Sequence, residues 1–536
     1  MHHAQVMNLG QLLAQTARLF PEHIGLIHGE RQWAWREIDA RVNAMVSALR
    51  AMGLNAGDAI LVQSRNNLQM FESCWATFRL GGVWVPTNFR LTPPEVAYLG
   101  ASSGAVAMIA EDIFAPHVDA VRAASPALAH VVWIDSAREQ PLEQGRDPEH
   151  EYETLVQQHL GQHEPAAIVT ADQPLWFFYT SGTTGRPKAG VLTHGQMAFV
   201  VANHLGDLIP GTTENDRSIA VAPLSHGAGI HALLNVARGA ATVLMPSEKL
   251  DPAVFWQLVE RHRVSNLFTV PTIVKLLVEH EAVDRHDHSS LRHMIYAGAP
   301  MYRADQKLAL QKLGKVLVQY FGLGEVTGCI TVLPPKMHSA DDADPNANIG
   351  SCGRPRTGME VAILDASLQP VPTGTVGEIC CRGPAVFAGY HGNEEATAKA
   401  LRGGWFHTGD LGRLDERGLL YITGRESDMY ISGGSNVYPR EVEEVLLTHP
   451  GVAEVAVLGV PDAKWGEVGI AVVVRREGTE PIDQAALLAH LEGRCARYRW
   501  PRQVLFWDAL PKSGYGKVTK MEIRRLLVER GDVVGD

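Results

Sequence analysis

Apolar residues recur at helical spacing early in the chain. Ile38, Val42, Met45, Val46, Leu49 and Met52 fall on one face, and Gly53 supplies a stop. An unbroken apolar run at 59–62 follows and reads as a buried strand. Further on, Val221 and Ala222 lead into a loop, and 242–245, 267–270 and 294–296 read as strands. Asp251 before Pro252 predicts a helix start, with Asp as cap and Pro at the first helical position, and the helix runs to near Arg263. This strand–helix rhythm predicts layered α/β architecture with largely parallel sheets. Between about 350 and 425 turns and short strands take over, as at 361–364 and 377–380, which predicts an added β-rich subdomain. A boundary falls near 424–428. Beyond it, helices at 439–447 and 485–491 and strands at 455–458 and 470–473 form a compact α+β pattern of their own. The expected fold class is therefore α/β. A large N-terminal domain over 1–426 combines layered α/β sheets with the β-rich subdomain, and a small mobile α+β C-terminal domain covers 427–536.

Composition narrows the function classes. The 536 residues are 46% hydrophobic and 20% charged, ordinary for a globular protein with a sizeable core. A net charge of -11 argues against nucleic-acid binding, which needs clustered Lys and Arg to neutralise phosphates. The six cysteines, Cys74, Cys329, Cys352, Cys380, Cys381 and Cys495, show no CxxC pairing and no metal-ligand spacing, and the adjacent pair at 380–381 reads as strand packing. The segment 1–7 lacks a charged start followed by an apolar run, and no stretch approaches the roughly 20 apolar residues of a membrane span. A cytoplasmic protein without an integral membrane segment is the expectation.

One segment stands out from this background. Thr180, Ser181, Gly182, Thr183, Thr184, Gly185, Arg186, Pro187 and Lys188 follow an apolar run at 175–179. Gly182 and Gly185 let the backbone bend so that several N–H groups point at one anion. Thr180, Ser181 and Thr183 add hydroxyl donors, and Lys188 adds charge. This is phosphate-cradle chemistry, but it is not the Walker pattern, because no Gly-Lys-Ser/Thr closes it. A polar surface turn is the bland alternative. Such a density of hydroxyls and glycines directly after a buried strand argues against it.

The segment resembles the signature of the adenylate-forming superfamily: acyl- and aryl-CoA synthetases, peptide-synthetase adenylation domains and firefly-type luciferases. The resemblance extends over about 9–527 and continues in four further segments, at 297–300, 319–325, 408–410 with Arg425, and 510–517. It implies that 1–426 binds AMP and the acyl group and that 427–536 carries the catalytic lysine. By this match the cradle residues Thr180 to Gly185 and Lys188 hold phosphates, and Glu325 with Thr184 holds Mg²⁺, a carboxylate suiting a hard cation. Gly298, Ala299, Pro300, Tyr320, Phe321 and Gly322 form the adenine pocket, with Phe321 stacking on the purine. Asp410 accepts from both ribose hydroxyls, and Arg425 is its ribose and phosphate partner. Lys517 is the implied catalytic lysine, bridging carboxylate and phosphate oxygens. His226 stands at the mouth of the acyl pocket, in a gating or positioning role. The sequence departs from the family at two places. Gly324 replaces the usual Thr, leaving Thr327 or a water to supply the hydroxyl, and Ser427 occupies the hinge where Asp or Lys is usual.

The resemblance implies a two-step reaction in which ATP and a carboxylic acid give acyl-AMP and pyrophosphate, and CoA then takes the acyl group. ATP, Mg²⁺ and CoA are the implied cofactors and co-substrate, and fatty acid metabolism the implied setting. Ser432, Gly433 and Gly434 would line the pantetheine tunnel, Trp465 would stack on the CoA adenine, and Arg499 and Arg502 would meet its phosphates. Alternatives are a free-standing adenylation enzyme loading a carrier protein, a luciferase-like monooxygenase and a non-catalytic nucleotide sensor. A homodimer is among the assemblies open to the chain. Small or apolar residues at Ala228, Gly229, Ile230, Ala297, Gly298 and Gly322 predict a roomy, uncharged pocket for a medium-chain fatty or aromatic acid.

Overall fold

The computed structural model describes residues 5–135, 150–180, 186–299, 301–328, 330–432, 435–462, 464–512 and 518–533. Two large sheets organise the first four-fifths of the chain. One has six strands, in spatial order Lys188–Thr193, Pro174–Thr180, Val83–Pro86, Ala59–Gln63, Ala107–Glu111 and His130–Ile134. All pair in parallel except the first, which runs back along Pro174–Thr180 as a hairpin arm. The other sheet has thirteen strands and is built on parallel strands at Ala241–Leu244, Arg217–Ala220, Asn266–Thr269, His293–Tyr296 and Leu317–Phe321. Helices Trp35–Ala51, Leu68–Leu80 and Gly227–Val236 contribute much of the apolar cluster that also draws on both sheets.

The patterned elements fold as their spacing predicts. The helix after strand Arg31–Ala34 spans Trp35–Ala51 and buries Ile38, Val42, Met45, Val46 and Leu49. Pro252–His262 starts as expected, the Asp251 carboxylate accepting from the N–H groups of Ala253 and Val254, and ends where Arg263 turns left-handed at φ 49°. The β-rich stretch forms over Ser351–Pro355 to Leu420–Arg425. Its strands form where expected, and they also pair onto the end of the thirteen-stranded sheet. Phe321 pairs with Thr331, Thr331 with Pro355 and Ser351 with Tyr421, so the ladder runs unbroken into Leu420–Arg425 and Phe406–Leu414. Short strands look autonomous in sequence because pairing partners lie far apart along the chain.

The last hundred residues build a separate five-stranded sheet. Its core is a long hairpin, Val452–Asp462 against Gly466–Arg475, flanked by helices Pro439–Leu447 and Gln484–Leu491. The strands run several residues beyond the apolar runs that announced them, because backbone pairing continues past the buried positions. The small sheet meets the large part through Pro439–Leu447, where Arg440 Nη1 donates to the Ile422 carbonyl at 3.3 Å. Among the described residues no helix is long and apolar enough to cross a membrane.

Candidate active site

The strand Pro174–Thr180 of the six-stranded sheet ends at Thr180, where that sheet meets the thirteen-stranded one. There it meets Glu325, carried on the single turn Gly324–Val326 that follows Leu317–Phe321. Glu325 is buried, at 5% exposure, yet its carboxylate is not abandoned. Thr180 Oγ1 donates to Oε1 at 3.1 Å, and Tyr390 Oη donates to the same oxygen at 2.8 Å. Burial and the Glu325 charge push the Tyr390 hydroxyl well above its ordinary pKa, so it remains a donor. Lys188 Nζ lies 5.4 Å from the centre of the Tyr390 ring, a cation–π distance. The backbone fixes this group of four. Phe387 N–H donates to the Glu325 carbonyl, and 388–391 pairs with 189–191 through Ala388, His391 and Val191. Two hydroxyls orient one carboxylate oxygen of a buried Glu beside a hydroxyl- and glycine-rich loop. That donor set fits a hard cation such as Mg²⁺. Ser181, Gly182, Thr183, Thr184 and Gly185, including the second metal candidate, lie outside the described residues.

The missing Thr at 324 has a physical explanation. A Cβ on Gly324 would lie 2.7 Å from the Phe178 ring and 2.7 Å from Thr180 Cγ2. Phe178 is itself held by His226, whose ring stacks on it at 4.3 Å and 29°. His226 caps the start of Gly227–Val236, so it sets that helix start beside Phe178. Thr327 does not supply the lost hydroxyl. It is buried, and its Oγ1 donates to the Val326 carbonyl at 2.7 Å.

Tyr320 and Phe321 point to opposite sides of their strand. Tyr320 stacks on Phe268 at 5.8 Å, whereas Phe321 packs against the cluster of Cys352, Ile363, Ile379 and Leu420, the last on strand Leu420–Arg425, which two intervening strands separate from Leu317–Phe321. Strand Leu420–Arg425 ends in Arg425, whose Cα pairs with that of Asp410. Arg425 Nε lies 3.1 Å from Asp410 Oδ1, so the two residues implied for one ribose do come together. Ala297 is buried after His293–Tyr296, Gly298 turns at φ 82°, and Ala299 is half-buried. Pro300 lies outside the described residues. The strand segment that presents Asp410, with Gly409 at φ 69°, has a support that sequence reading missed. Glu378 Oε1 accepts from Gly409 N–H at 3.2 Å, while its other oxygen takes His407 Nδ1 at 2.7 Å and Arg402 Nη2 at 2.9 Å. Cys380 Sγ lies 3.3 Å from His407 Nδ1. The thiol, imidazole and carboxylate lie within 4.8 Å of one another, but the Glu378 charge is already balanced by Arg402.

In the small sheet, Ser432 pairs with Ser435 and with Gly466, which places it beside the hairpin tip that carries Trp465. Trp465 is 42% exposed, with Lys464 Nζ 5.1 Å from its ring centre. Arg502 pairs with Asp462 at 3.1 Å and Arg499 with Glu441 at 2.6 Å, so both guanidiniums already have carboxylate partners. Ser427 lies exposed in the turn after Arg425. Gly433, Gly434 and Lys517 lie outside the described residues.

A sequence profile described as AMP-binding enzyme matches residues 13–391, and one described as AMP-binding enzyme C-terminal domain matches 441–517. The chain belongs to the AMP-binding enzyme family. It is 36% identical over 519 residues to a feruloyl-CoA synthase from Amycolatopsis sp, covering 96% of this chain and 98% of that protein. It is 32% identical over 524 residues to an indoleacetate–CoA ligase from Aromatoleum aromaticum, covering 98% and 99%. Among solved structures, ATP-bound MatB from Rhodopseudomonas palustris matches with a TM-score of 0.85 at 29% identity, over 97% of this chain and 99% of that one. Within this family fold, the residues that sequence reading left out are Tyr390, Phe178 and Glu378. Tyr390 follows a glycine and precedes another two residues on, and so reads as a turn; only the sheet brings it to Glu325.

Proposed function

We propose that this AMP-binding enzyme is an AMP-forming acid–thiol ligase. It activates a medium-chain fatty or aromatic acid as the acyl-adenylate, transfers the acyl group to CoA, and releases AMP and pyrophosphate. The observation that carries the reading is the meeting of Thr180, Tyr390 and Glu325 at the foot of the cradle segment. Relatives named as CoA ligases support CoA over a carrier protein as acceptor.

In the first step a carboxylate oxygen attacks the α-phosphorus of ATP and the bond to pyrophosphate breaks. Both reactants are anionic, so the barrier is largely electrostatic. Lys188 and the cradle hold the phosphates, Asp410 accepts from the ribose hydroxyls, and Arg425 stays within reach of both ribose and phosphate. Glu325 and Thr184 would hold Mg²⁺, which when bound offsets the triphosphate charge. Lys517 bridges the attacking carboxylate and the α-phosphate. In the second step the CoA thiol gives up its proton and attacks the acyl carbonyl, and AMP leaves as the anhydride bond breaks. The chain divides functionally into 1–426 and 427–536. Turning about Ser427 withdraws Lys517 and brings Ser432, Gly433 and Gly434 to line the pantetheine path, with Trp465 free to stack on the CoA adenine.

The test separates the half-reactions. Lys517→Ala should lower acid-dependent ATP–pyrophosphate exchange by about a hundredfold or more while leaving thioester formation from supplied acyl-AMP close to the parent rate. Equal loss of both half-reactions would overturn the alternating use of the C-terminal domain.

A further inference from the structure

Helix Gly227–Val236 starts at His226 against Phe178 and runs over strands Arg217–Ala220, Ala241–Leu244 and Asn266–Thr269. Between helix and strands lies a small cavity of about 10 Å³, close to the room that one water-sized group occupies. Much of its wall is apolar: Leu224, Ala228, Ala232 and the ring of Phe268. Phe268 is half-buried, lies against Gly227 and stacks on Tyr320, so its ring stands between the cavity and Tyr320. Part of the lining is polar. Ser218, Thr242 and His231 supply it, the last two at 2% and 5% exposure. Among the described residues, Thr242 Oγ1 and His231 Nδ1 have no hydrogen-bond partner. A buried polar atom left unpaired costs about 1–3 kcal/mol, so two on residues lining one cavity call for a partner there, a water or a ligand group that displaces it.

A chain of hydrogen bonds decides what that group must be. Asn235 Nδ2 donates to the His231 backbone carbonyl at 2.9 Å, which can only accept, so the Asn235 amide orientation is set. Asn235 Oδ1 then accepts from Asn266 Nδ2 at 3.1 Å, which sets the second amide. Asn266 Oδ1 is left facing His231 Nε2 at 2.7 Å, so Nε2 carries the imidazole proton. Burial lowers the His231 pKa to about 4, and the ring is neutral at physiological pH. His231 Nδ1 is therefore a bare lone pair that needs a donor. A hydroxyl supplies that donor and an oxygen for Thr242 Oγ1 to donate to; a carbonyl or ether supplies only the second.

We propose that the acyl pocket selects a carboxylic acid bearing a neutral hydroxyl at the end remote from its carboxylate, the hydroxyl donating to His231 Nδ1 and accepting from Thr242 Oγ1. The inference rests on the ligase reading and narrows its substrate. The acid enters past His226 with the Phe268 ring turned aside, and its hydroxyl oxygen fills the cavity. The polar part of the lining disfavours an alkyl chain there.

ATP-dependent pyrophosphate release by the full chain tests this on matched acids: phenylpropanoate against its para-hydroxyl counterpart, and hexanoate against its terminally hydroxylated counterpart. At least one hydroxylated partner should be favoured by about tenfold or more in kcat/KM. Thr242→Val, which keeps the shape, and His231→Phe, which disturbs the Asn266 pair as well, should each bring that ratio near unity. If acids are activated without the preference, or the preference survives Thr242→Val, the inference falls and the ligase reading stands. If no acid elicits pyrophosphate release, the ligase reading fails and takes the inference with it.

Discussion

Gly324 is without a side chain because Phe178 fills the space beside it. The substituted Cβ would sit 2.7 Å from that ring, and His226, stacked behind, keeps the ring from retreating. Gly324→Thr should therefore cost about 1–3 kcal/mol in urea unfolding, the range for overpacking a filled site, and adding Phe178→Ala should recover part of it. A Gly324→Thr protein as stable as the parent would show that the ring yields freely. At this scale the sequence was a good guide to residue types. Thr180, Lys188, Glu325, Asp410 and Arg425 all stand out by motif, and the implied pair Asp410 with Arg425 is in contact, while Glu325 meets Thr180, a contact that no motif announced. It was a poor guide to supports. Tyr390 holds Glu325 across 65 positions and Glu378 holds the Asp410 segment across 31 from Gly409, and neither has a local signature.

Helix Gly227–Val236 shows what an element requires of its sequence. Its first turn is glycine-rich, and the two glycines serve different neighbours. A Cβ at Gly227 would meet the Phe268 ring at 2.6 Å, whereas a Cβ at Gly229 would meet the Leu224 carbonyl oxygen at 1.9 Å. A ring can rotate; a backbone carbonyl in the same tight turn cannot. Gly229→Ala should thus destabilise by about 3 kcal/mol or more, and Gly227→Ala by about 1 kcal/mol, as read from urea midpoints at unchanged m-value. Equal effects would mean that the turn at Leu224 is softer than its geometry. This also revises the pocket read from small residues. Gly229 serves backbone packing beside Trp176, and Ile230 is buried in the core, so only Ala228 of that trio lines the cavity. Small size in a sequence does not distinguish room for a ligand from room for a backbone.

Across the whole molecule, burial sets an acid limit. His194, His231, His293 and His338 are held neutral, with pKa values lowered to about 4 by burial. In the unfolded chain each titrates near about 6.5. Above that pH both states are neutral and the groups contribute nothing. Between about 6.5 and 4 the unfolded chain binds more protons, so stability falls as pH falls, by at most about 3 kcal/mol per histidine. The thermal midpoint should drop steeply over that interval, and His338→Gln should flatten the drop; an unchanged profile in the variant would refute the assignment for that residue. The same scale separates what sequence and tertiary structure each decided. Periodicity, caps and motif order determined the α/β class, the element sequence, the family and the residue types at the phosphate and ribose positions, because these depend on contacts within a few residues or on one contiguous loop. The joining of the β-rich strands to the large sheet, the hydroxyl of Tyr390 on Glu325, the exclusion of a side chain at 324 and the lone pair of His231 were decided only by the tertiary structure. Each depends on groups brought together by strand pairing and burial, and the free energy of a buried polar atom depends on neighbours that no local pattern names.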